Sequence, residues 1–135
     1  RLQGWAEMTE GYEVFGNALD RSVLASLREL QDDGDPDIIA EVGGLFLEHS
    51  PQKIAAILKA VENGDAKGLQ TAAHSLKSSS AYVGALHLSS LSKDLELMGR
   101  AQALQDARIK ADMLKSEYKR VLVALEAEIR LGKRT

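Results

Sequence analysis

The sequence of 135 residues has no cysteine, only two prolines, few aromatic residues and no excess of positive charge. Without cysteine there is neither a disulfide nor a thiolate metal site, which fits a reducing compartment. Only 4% of the residues are aromatic while 44% are hydrophobic, so the core must be mainly aliphatic. The net charge of −3 argues against nucleic acid as a partner, because phosphate-backbone binding requires a basic surface. No signal peptide or apolar run of membrane-spanning length is present, so we expect a cytoplasmic location without direct membrane contact.

The apolar residues recur at the spacing of amphipathic helices, and no stretch alternates with a period of two for long enough to predict a strand. Ser50-Pro51 is typical of an N-cap followed by the first helical residue, so one helix should end near His49 and another begin there. The connections between predicted helices are short, which favours antiparallel neighbours. The predicted fold is all-α: an antiparallel four-helix bundle from about Pro51 onward, with one or two extra N-terminal helices.

The predicted domain boundaries follow from the same periodicity. Residues 1–18 show no sustained period and are predicted to be a linker or leader, which leaves 19–132 as the bundle and 133–135 as a polar tail. Asp20 and the pair Asp35-Pro36 have the composition of helix starts. Gly43-Gly44 lies inside a predicted helix, where each glycine costs about 1 kcal/mol relative to alanine. This predicts either a close approach of another backbone or a bend in the helix.

The most informative stretch is the predicted helix around His74. On a helical projection Leu69, Ala73 and Leu76 belong to a buried stripe, and His74 lies about 140° from Leu69 on the opposite side. Its outer neighbours one and two turns on, Ser78 and Ala81, are both small. No acidic residue lies within a turn of His74 on its own helix. The spacing therefore predicts an exposed and unhindered imidazole.

Such an imidazole suits phosphoryl chemistry. A neutral imidazole is a nucleophile near pH 7, because its unperturbed pKa is about 6.5, and in-line attack requires open access. Lys77, about 60° around the helix from His74, either neutralises charge on phosphoryl oxygens or is an ordinary solvated lysine. Gln70 either donates to a phosphoryl group or is solvated. A metal site is disfavoured because no second histidine or acid follows His74 at i+3 or i+4. His49 and His87 are read as cap or turn residues.

The run from His74 to Gly84 resembles the His-x-x-Lys-Gly-x-x-x-x-x-Gly signature of histidine-containing phosphotransfer (HPt) domains. The resemblance extends upstream to Gly64-Asp65 and downstream to Leu91, Leu95-Glu96 and Gly99-Arg100, and it covers the chain from about Asp20 to the end of the last helix. One position departs from the pattern: Ser78 occupies the place that usually holds glycine. Serine is small, so we expect docking of a partner to be retained.

This resemblance implies a phosphorelay intermediate that accepts and donates a phosphoryl group on His74, to and from aspartates of response-regulator receiver domains. It implies no ATP site and no cofactor or metal of its own, with Mg²⁺ supplied by the receiver domain. We also expect a monomer. The start at Arg1 and the irregular leader favour the C-terminal module of a hybrid sensor histidine kinase over a free-standing protein. The implied site residues are His74 as the phosphorylated residue, Lys77 as its charge partner, Gly84 as a structural turn, and a phosphate or docking vicinity made by Gln70, Thr71, Ser78, Ala81 and Tyr82.

Two other functions are compatible with the sequence. The phosphoacceptor domain of a chemotaxis-type histidine kinase shares the HPt fold and a similar motif. A helical adaptor without phosphoryl chemistry would leave His74 dispensable. The dimerisation domain of a sensor kinase fits poorly, because those domains usually carry His-Glu followed closely by proline. Here Ser75 follows His74, and no proline occurs after Pro51.

Overall fold

A computed structural model describes residues 17–133 of the chain, and this part folds into five α-helices without a strand. The helices are α1 (Arg21–Glu29), α2 (Ile38–Asn63), α3 (Ala66–Tyr82), α4 (Leu86–Ala101) and α5 (Ala107–Lys133). The four long helices pack in a ring, α2 on α3, α3 on α4, α4 on α5 and α5 on α2, with α1 against α2. Short connections make ring neighbours antiparallel. The prediction of an all-α, antiparallel four-helix bundle with an extra N-terminal helix is confirmed.

The predicted ends of the chain fall mostly outside the described residues. Of the leader predicted over residues 1–18, only Asn17 and Ala18 are described, and Ala18 is buried in the core. Residues 134–135 of the predicted tail likewise lie outside the described part. Within 17–133, no helix has the combination of length and apolar character that a membrane crossing demands.

Side-chain caps fix the helix starts that the sequence indicates. Asp20 accepts hydrogen bonds from the backbone N–H groups of Ser22 and Val23, and Asp65 accepts one from Gly68. Gly64 ends α2 in the left-handed conformation at φ 66°, which favours glycine. The predicted start at Asp35-Pro36 is wrong by two residues. Asp37 is the N-cap of α2, because its carboxylate accepts from Ile39 N–H.

The predicted helix break at Ser50-Pro51 is wrong, because α2 continues through Pro51 to Asn63. A proline inside a helix removes one backbone hydrogen bond, here the bond to the carbonyl of Leu47. Tertiary packing offsets that loss: Ser50 is buried and its hydroxyl lies 2.7 Å from that of Tyr118 on α5, while Pro51 faces solvent. The whole of α2 is therefore the first bundle helix, and within the described chain one helix precedes it rather than two.

The two other histidines are also helical, contrary to their interpretation as cap or turn residues. His49 lies in the middle of α2 because that helix does not break, and His87 lies in the first turn of α4. Both side chains are exposed. Neither is therefore held in the core of the bundle.

Gly43 marks a close contact between α2 and α5. A Cβ atom added there would lie 3.1 Å from Leu125 Cδ1 and 3.2 Å from Ile129 Cδ1, whereas one added at Gly44 would meet nothing within 4 Å. Of the two predicted explanations for this glycine pair, close approach applies to Gly43. The approaching groups are side chains of α5 rather than another backbone.

The buried face of α5 contains more than the predicted apolar stripe. Ala107, Ala111, Leu114, Val121 and Leu125 are buried as the periodicity predicts, but the carboxylates of Glu117 and Glu128 are buried beside them. Glu128 forms salt bridges with Arg21 and Arg28 of α1. Because a buried carboxylate is costly unless paired, these bridges attach the short N-terminal helix to the bundle.

The buried hydroxyl of Ser80 gives a stability prediction. Ser80 is fully buried on α3, and its Oγ has no hydrogen-bond partner within the described chain. An unsatisfied buried polar group costs about 1–3 kcal/mol, so Ser80→Ala should raise the free energy of unfolding by roughly 1 kcal/mol. Urea denaturation measures this change.

Ser92 is the matched control for Ser80. It is equally buried, but its Oγ donates to the carbonyl of Leu88 at 2.8 Å. Ser92→Ala carries the same gain in helix propensity and loses a satisfied hydrogen bond. We therefore expect the two variants to differ, with Ser80→Ala the more stable. Equal stability would show that the Ser80 hydroxyl is satisfied.

Candidate functional site

His74 lies in the middle of α3 with its ring turned away from the bundle. Its side chain is 62% exposed, while Leu69, Ala73 and Leu76 on the opposite side of the helix are buried. Ser78, one turn on, is exposed, and its hydroxyl donates weakly to the backbone carbonyl of His74 at 3.4 Å. The outer face of the imidazole is thus open to a large partner.

A carboxylate on the neighbouring helix contacts the inner side of the ring. Glu96 of α4 has a side chain only 4% exposed, and its Oε2 lies 2.8 Å from Nδ1 of His74. The other oxygen, Oε1, accepts from the Lys77 ammonium at 2.7 Å. Arg100, one turn along α4, contacts Oε2 at 3.3 Å. We refer to His74, Lys77, Glu96 and Arg100 as the Glu96 cluster.

The cluster explains how a carboxylate can be buried between two helices. Burying a charge is costly unless opposite charges and hydrogen bonds replace the lost water. Here both oxygens of Glu96 are satisfied, one by Lys77 and the other by His74 and Arg100. The hydrogen bond from Lys77 is the largest influence on the carboxyl group and lowers the pKa of Glu96 below its ordinary value of 4.5. Burial opposes this lowering, and the bond with His74 adds to it.

The state of Glu96 determines which ring nitrogen is reactive. With its lowered pKa, Glu96 is ionised at neutral pH and can only accept hydrogen bonds. Nδ1 of His74 must therefore carry the proton and donate it to Glu96 Oε2. In the neutral ring the lone pair then resides on Nε2. The arrangement makes Nε2 the nucleophilic atom and holds the ring in one orientation.

Replacing Glu96 by glutamine should weaken this control of the ring. We expect the variant to lose the strong preference for the Nδ1–H tautomer, because a neutral amide binds the N–H less strongly than a carboxylate. The free energy of unfolding at pH 7 should fall by about 1–2 kcal/mol, less than for a fully buried ion pair because Lys77 and Arg100 are partly solvated. Nitrogen-15 NMR of the ring and urea denaturation measure the two effects.

The stability effect of Glu96 should also depend on pH. A carboxyl group with a lowered native pKa stabilises the fold fully above its unfolded pKa, near 4.5, and this contribution disappears as the pH falls through the native value. Wild type and Glu96→Gln should therefore converge in stability on acidification below about pH 4.5. Glu126→Gln, at an exposed position of α5, is the control and should match wild type throughout. A constant difference at all pH values would contradict an ionic role for Glu96.

The structure brings most of the predicted site residues to one face. Thr71, Ser78, Ala81 and Tyr82 are exposed on α3 together with His74. Gln70 is half-buried, and its backbone packs against Gly99 of α4. Lys77 is directed at Glu96 rather than free in solvent.

Gly84 occupies the predicted turn after α3. It has φ 83°, a left-handed conformation that favours glycine, and its carbonyl accepts from Asp20 N–H at 2.7 Å. The turn thus ends α3 and fixes the start of α1 against the bundle. Gly84 lies beyond the end of α3, away from the imidazole, so its role is to set the backbone conformation of the turn.

Glu96 and Arg100 are site residues that sequence reasoning missed. The resemblance contains Leu95-Glu96 and Gly99-Arg100, but periodicity alone does not show that residue 96 lies beneath residue 74. The register between α3 and α4 is needed for that inference. The only signal in the sequence was a charged residue, Glu96, directly after the core position Leu95 on α4.

An apolar groove runs beside the exposed face of α3. It lies between α2 and the C-terminal half of α3 and has a volume of about 450 Å³. Val42, Leu45, Phe46 and Tyr82 line it together with polar side chains that include His49. Leu45 and Tyr82 are more than half exposed. Exposed apolar residues beside a polar site are typical of a protein-interaction surface.

The fold and the site together define a class of protein: a four-helix bundle with an exposed histidine on one helix, oriented by a buried carboxylate on the next. Within residues 17–133 no group of three or more potential ligands could hold a metal ion. The family model described as the Hpt domain matches residues 41–128. The chain therefore belongs to the Hpt domain family.

Individual relatives agree with this assignment. Histidine-containing phosphotransfer protein 5 of Arabidopsis thaliana is 40% identical over 65 residues, which are 46% of this chain and 41% of that protein. Histidine-containing phosphotransfer protein 2 of the same plant is 35% identical over 71 residues, 50% of this chain and 46% of that protein. The matches thus span less than half the length of either relative.

Solved structures resemble the whole bundle. Histidine-containing phosphotransfer protein B (HptB) from Pseudomonas aeruginosa PAO1 superposes with a TM-score of 0.76 at 30% identity, covering 84% of this chain and 96% of that one. The phosphotransfer protein MtHPt2 from Medicago truncatula has a TM-score of 0.69 at 28% identity, with 93% and 90% covered. The shared architecture thus extends well beyond the histidine motif.

Proposed function

We propose that this chain is a phosphorelay intermediate that carries a phosphoryl group on Nε2 of His74. The group would come from the aspartyl phosphate of one response-regulator receiver domain and pass to an aspartate of another. The observation that carries this proposal is the exposed imidazole whose Nδ1 is held by the buried carboxylate of Glu96. Family membership supports the same function, because the relatives are named histidine-containing phosphotransfer proteins.

In the forward step the Nε2 lone pair attacks phosphorus in line with the acyl–phosphate oxygen. The N–P bond forms as the P–O bond breaks, and the receiver's aspartate leaves as a carboxylate. Positive charge develops on the ring, and the Glu96 carboxylate stabilises it through the Nδ1–H hydrogen bond. Transfer to the next receiver reverses these changes. The ring keeps its Nδ1 proton throughout, so no separate general base is needed.

Two cations of the Glu96 cluster are close enough to influence the phosphoryl group. Lys77 and Arg100 both contact the carboxylate that binds His74, and both are partly exposed. Cations of this kind stabilise phosphoryl oxygens by charge-assisted hydrogen bonds. We propose that Lys77 is the main charge partner. Mg²⁺ would come from the receiver domain, and this chain would supply the nucleophile and its electrostatic support.

The docking surface proposed for the receiver is the exposed face of α3 around His74. Thr71, Ser78, Ala81 and Tyr82 lie on that face, and the apolar groove continues from Tyr82 onto α2. One surface would serve donor and acceptor in turn, since both must reach the same nitrogen. We propose that the chain acts as a monomer in the cytoplasm. The absence of cysteine fits that reducing compartment.

The test is transfer of labelled phosphate from a panel of phosphorylated receiver domains. We expect the chain to acquire label that is lost in acid and survives base, as phosphohistidine does. Phosphorus–nitrogen couplings in NMR should place the label on Nε2. Failure to acquire label from any receiver, or an acid-stable bond, would contradict the proposal and favour a helical adaptor.

A further inference from the structure

At Gly99 the backbone of α4 closely approaches the backbone of α3. A Cβ atom added to this buried residue would lie 2.6 Å from the carbonyl oxygen of Ala66, 2.7 Å from the amide nitrogen of Gln70 and 3.1 Å from its Cα. All three are backbone atoms of α3, so no side chain could rotate away to make room. Gly99 does not have a positive φ, so the backbone conformation does not require glycine here. The requirement is for space.

This contact is one helical turn from the contact between His74 and Glu96. On α3, Gln70 precedes His74 by four residues, and on the antiparallel α4, Gly99 follows Glu96 by three. The Gly99–Gln70 contact and the Glu96–His74 hydrogen bond therefore occupy successive layers of the same helix pair. If α4 moves away from α3 at Gly99, the distance between Glu96 and His74 must therefore change as well.

We propose that Gly99 is a positioning residue for phosphotransfer: its missing side chain lets α4 approach α3 closely enough for Glu96 to reach His74 and Lys77 together. The separation of packed helices depends on the side chains at their contact. Ordinary contact at the Gly99 position would require α4 to retreat from α3 by roughly 1 Å, since ordinary Cβ contacts begin at 3.4 Å. The 2.8 Å bond between Glu96 and His74 would then exceed the range of a hydrogen bond.

The expected slowing of phosphoryl transfer rests on the proposed function, whereas the expected change in the tautomer and orientation of the His74 ring does not. Without the Glu96 contact, His74 would lose its tautomer preference and its fixed orientation, whatever reacts with it. Misplacement of a reacting group by about 1 Å can cost up to hundredfold in rate. We therefore expect Gly99→Ala to slow phosphoryl transfer about ten- to hundredfold.

The experiment measures the ring of His74 directly, in the complete chain. Nitrogen-15 NMR gives the tautomer ratio of this ring in wild type and in Gly99→Ala. We expect the Nδ1–H tautomer to lose its dominance, because the ring no longer faces a carboxylate. Transfer from a phosphorylated receiver is measured in parallel.

Two other glycines supply matched controls. Gly44→Ala adds a methyl group where nothing lies within 4 Å, and it should leave both readouts unchanged. Gly43→Ala crowds Leu125 and Ile129 at the α2–α5 contact, so it should alter stability without changing the ring. If Gly43→Ala shifts His74 as strongly as Gly99→Ala does, a general loosening of the bundle explains both effects and the proposal fails.

A double variant tests whether Gly99 acts through Glu96. In a Glu96→Gln background, Gly99→Ala should cause little further loss of transfer, because the contact it disturbs is already weakened. If the double variant loses transfer rate by the product of the two single-variant losses, Gly99 acts by a route other than its effect on Glu96. An unchanged ring in Gly99→Ala would also overturn the proposal.

Two further comparisons distinguish failure of the positioning role from unfolding of the variant and from failure of the proposed function. All Gly99→Ala measurements are repeated in a Gly44→Ala background, which should be more stable because alanine is favoured over glycine inside a helix. Complete unfolding even there would contradict a local positioning role. If wild type accepts no phosphoryl group but Gly99→Ala still shifts the ring, the proposed function fails while the positioning role stands.

Discussion

Replacing His74 by glutamine should reduce phosphoryl transfer from a phosphorylated receiver domain to background, with no loss of the helical fold. An amide nitrogen has no lone pair available for attack on phosphorus, so the nucleophile itself is removed. Because the His74 side chain is 62% exposed, its removal leaves no cavity in the core. Glutamine also keeps a polar group beside Glu96. Label transfer and far-UV circular dichroism measure the two outcomes.

The two other histidines of the sequence provide the controls for this prediction. His49 and His87 are exposed on α2 and α4, so His49→Gln and His87→Gln remove a ring of the same kind without touching the Glu96 cluster. His87→Gln should accept label at the wild-type rate. His49→Gln should still accept acid-labile label on His74, although its side chain lines the apolar groove. Label that persists in His74→Gln, or that disappears in His87→Gln, would assign the phosphoryl group to another residue.

Helix starts and ends were predictable from the sequence where a local side chain determines them. Asp20 and Asp65 cap their helices through hydrogen bonds two or three residues away, and Gly64 supplies a left-handed residue. Pro51 shows the limit of such local rules. Ser50-Pro51 has the composition of a helix start, but the partner that keeps the helix intact, Tyr118, is 68 residues away.

The candidate site shows the same limit of local sequence rules. The exposure of His74 could be predicted because the apolar stripe of α3 determines which side of that helix is buried. Glu96 could not, because its place beneath the ring depends on the register between two helices. Nor does any periodicity reveal the close backbone contact at Gly99, which we propose brings Glu96 within reach of the ring. The exposed histidine was thus predictable, but the groups that orient its ring and balance its charge were not.

Ser78→Leu is the second prediction with a large expected effect, because Ser78 lies one turn beyond His74 on the same exposed face. Long side chains on a helix point back toward its N-terminus and cover the residue three or four positions before them. A leucine at position 78 should therefore lie over the imidazole. We expect transfer from a receiver domain to fall about hundredfold, since the receiver must bring its aspartyl phosphate into line with Nε2. Helix content should not change.

Two comparisons identify steric access as the cause of that loss. Ser78→Ala removes the weak hydrogen bond to the carbonyl of His74 but adds no bulk, so it should transfer at nearly the wild-type rate. A small donor such as acetyl phosphate can approach past a leucine side chain more easily than a folded domain can. Ser78→Leu should consequently lose much more activity with the receiver than with acetyl phosphate. A matching loss in Ser78→Ala would mean that the hydroxyl rather than the open space supports transfer. Equal losses of Ser78→Leu with both donors would contradict exclusion of the receiver domain as the cause.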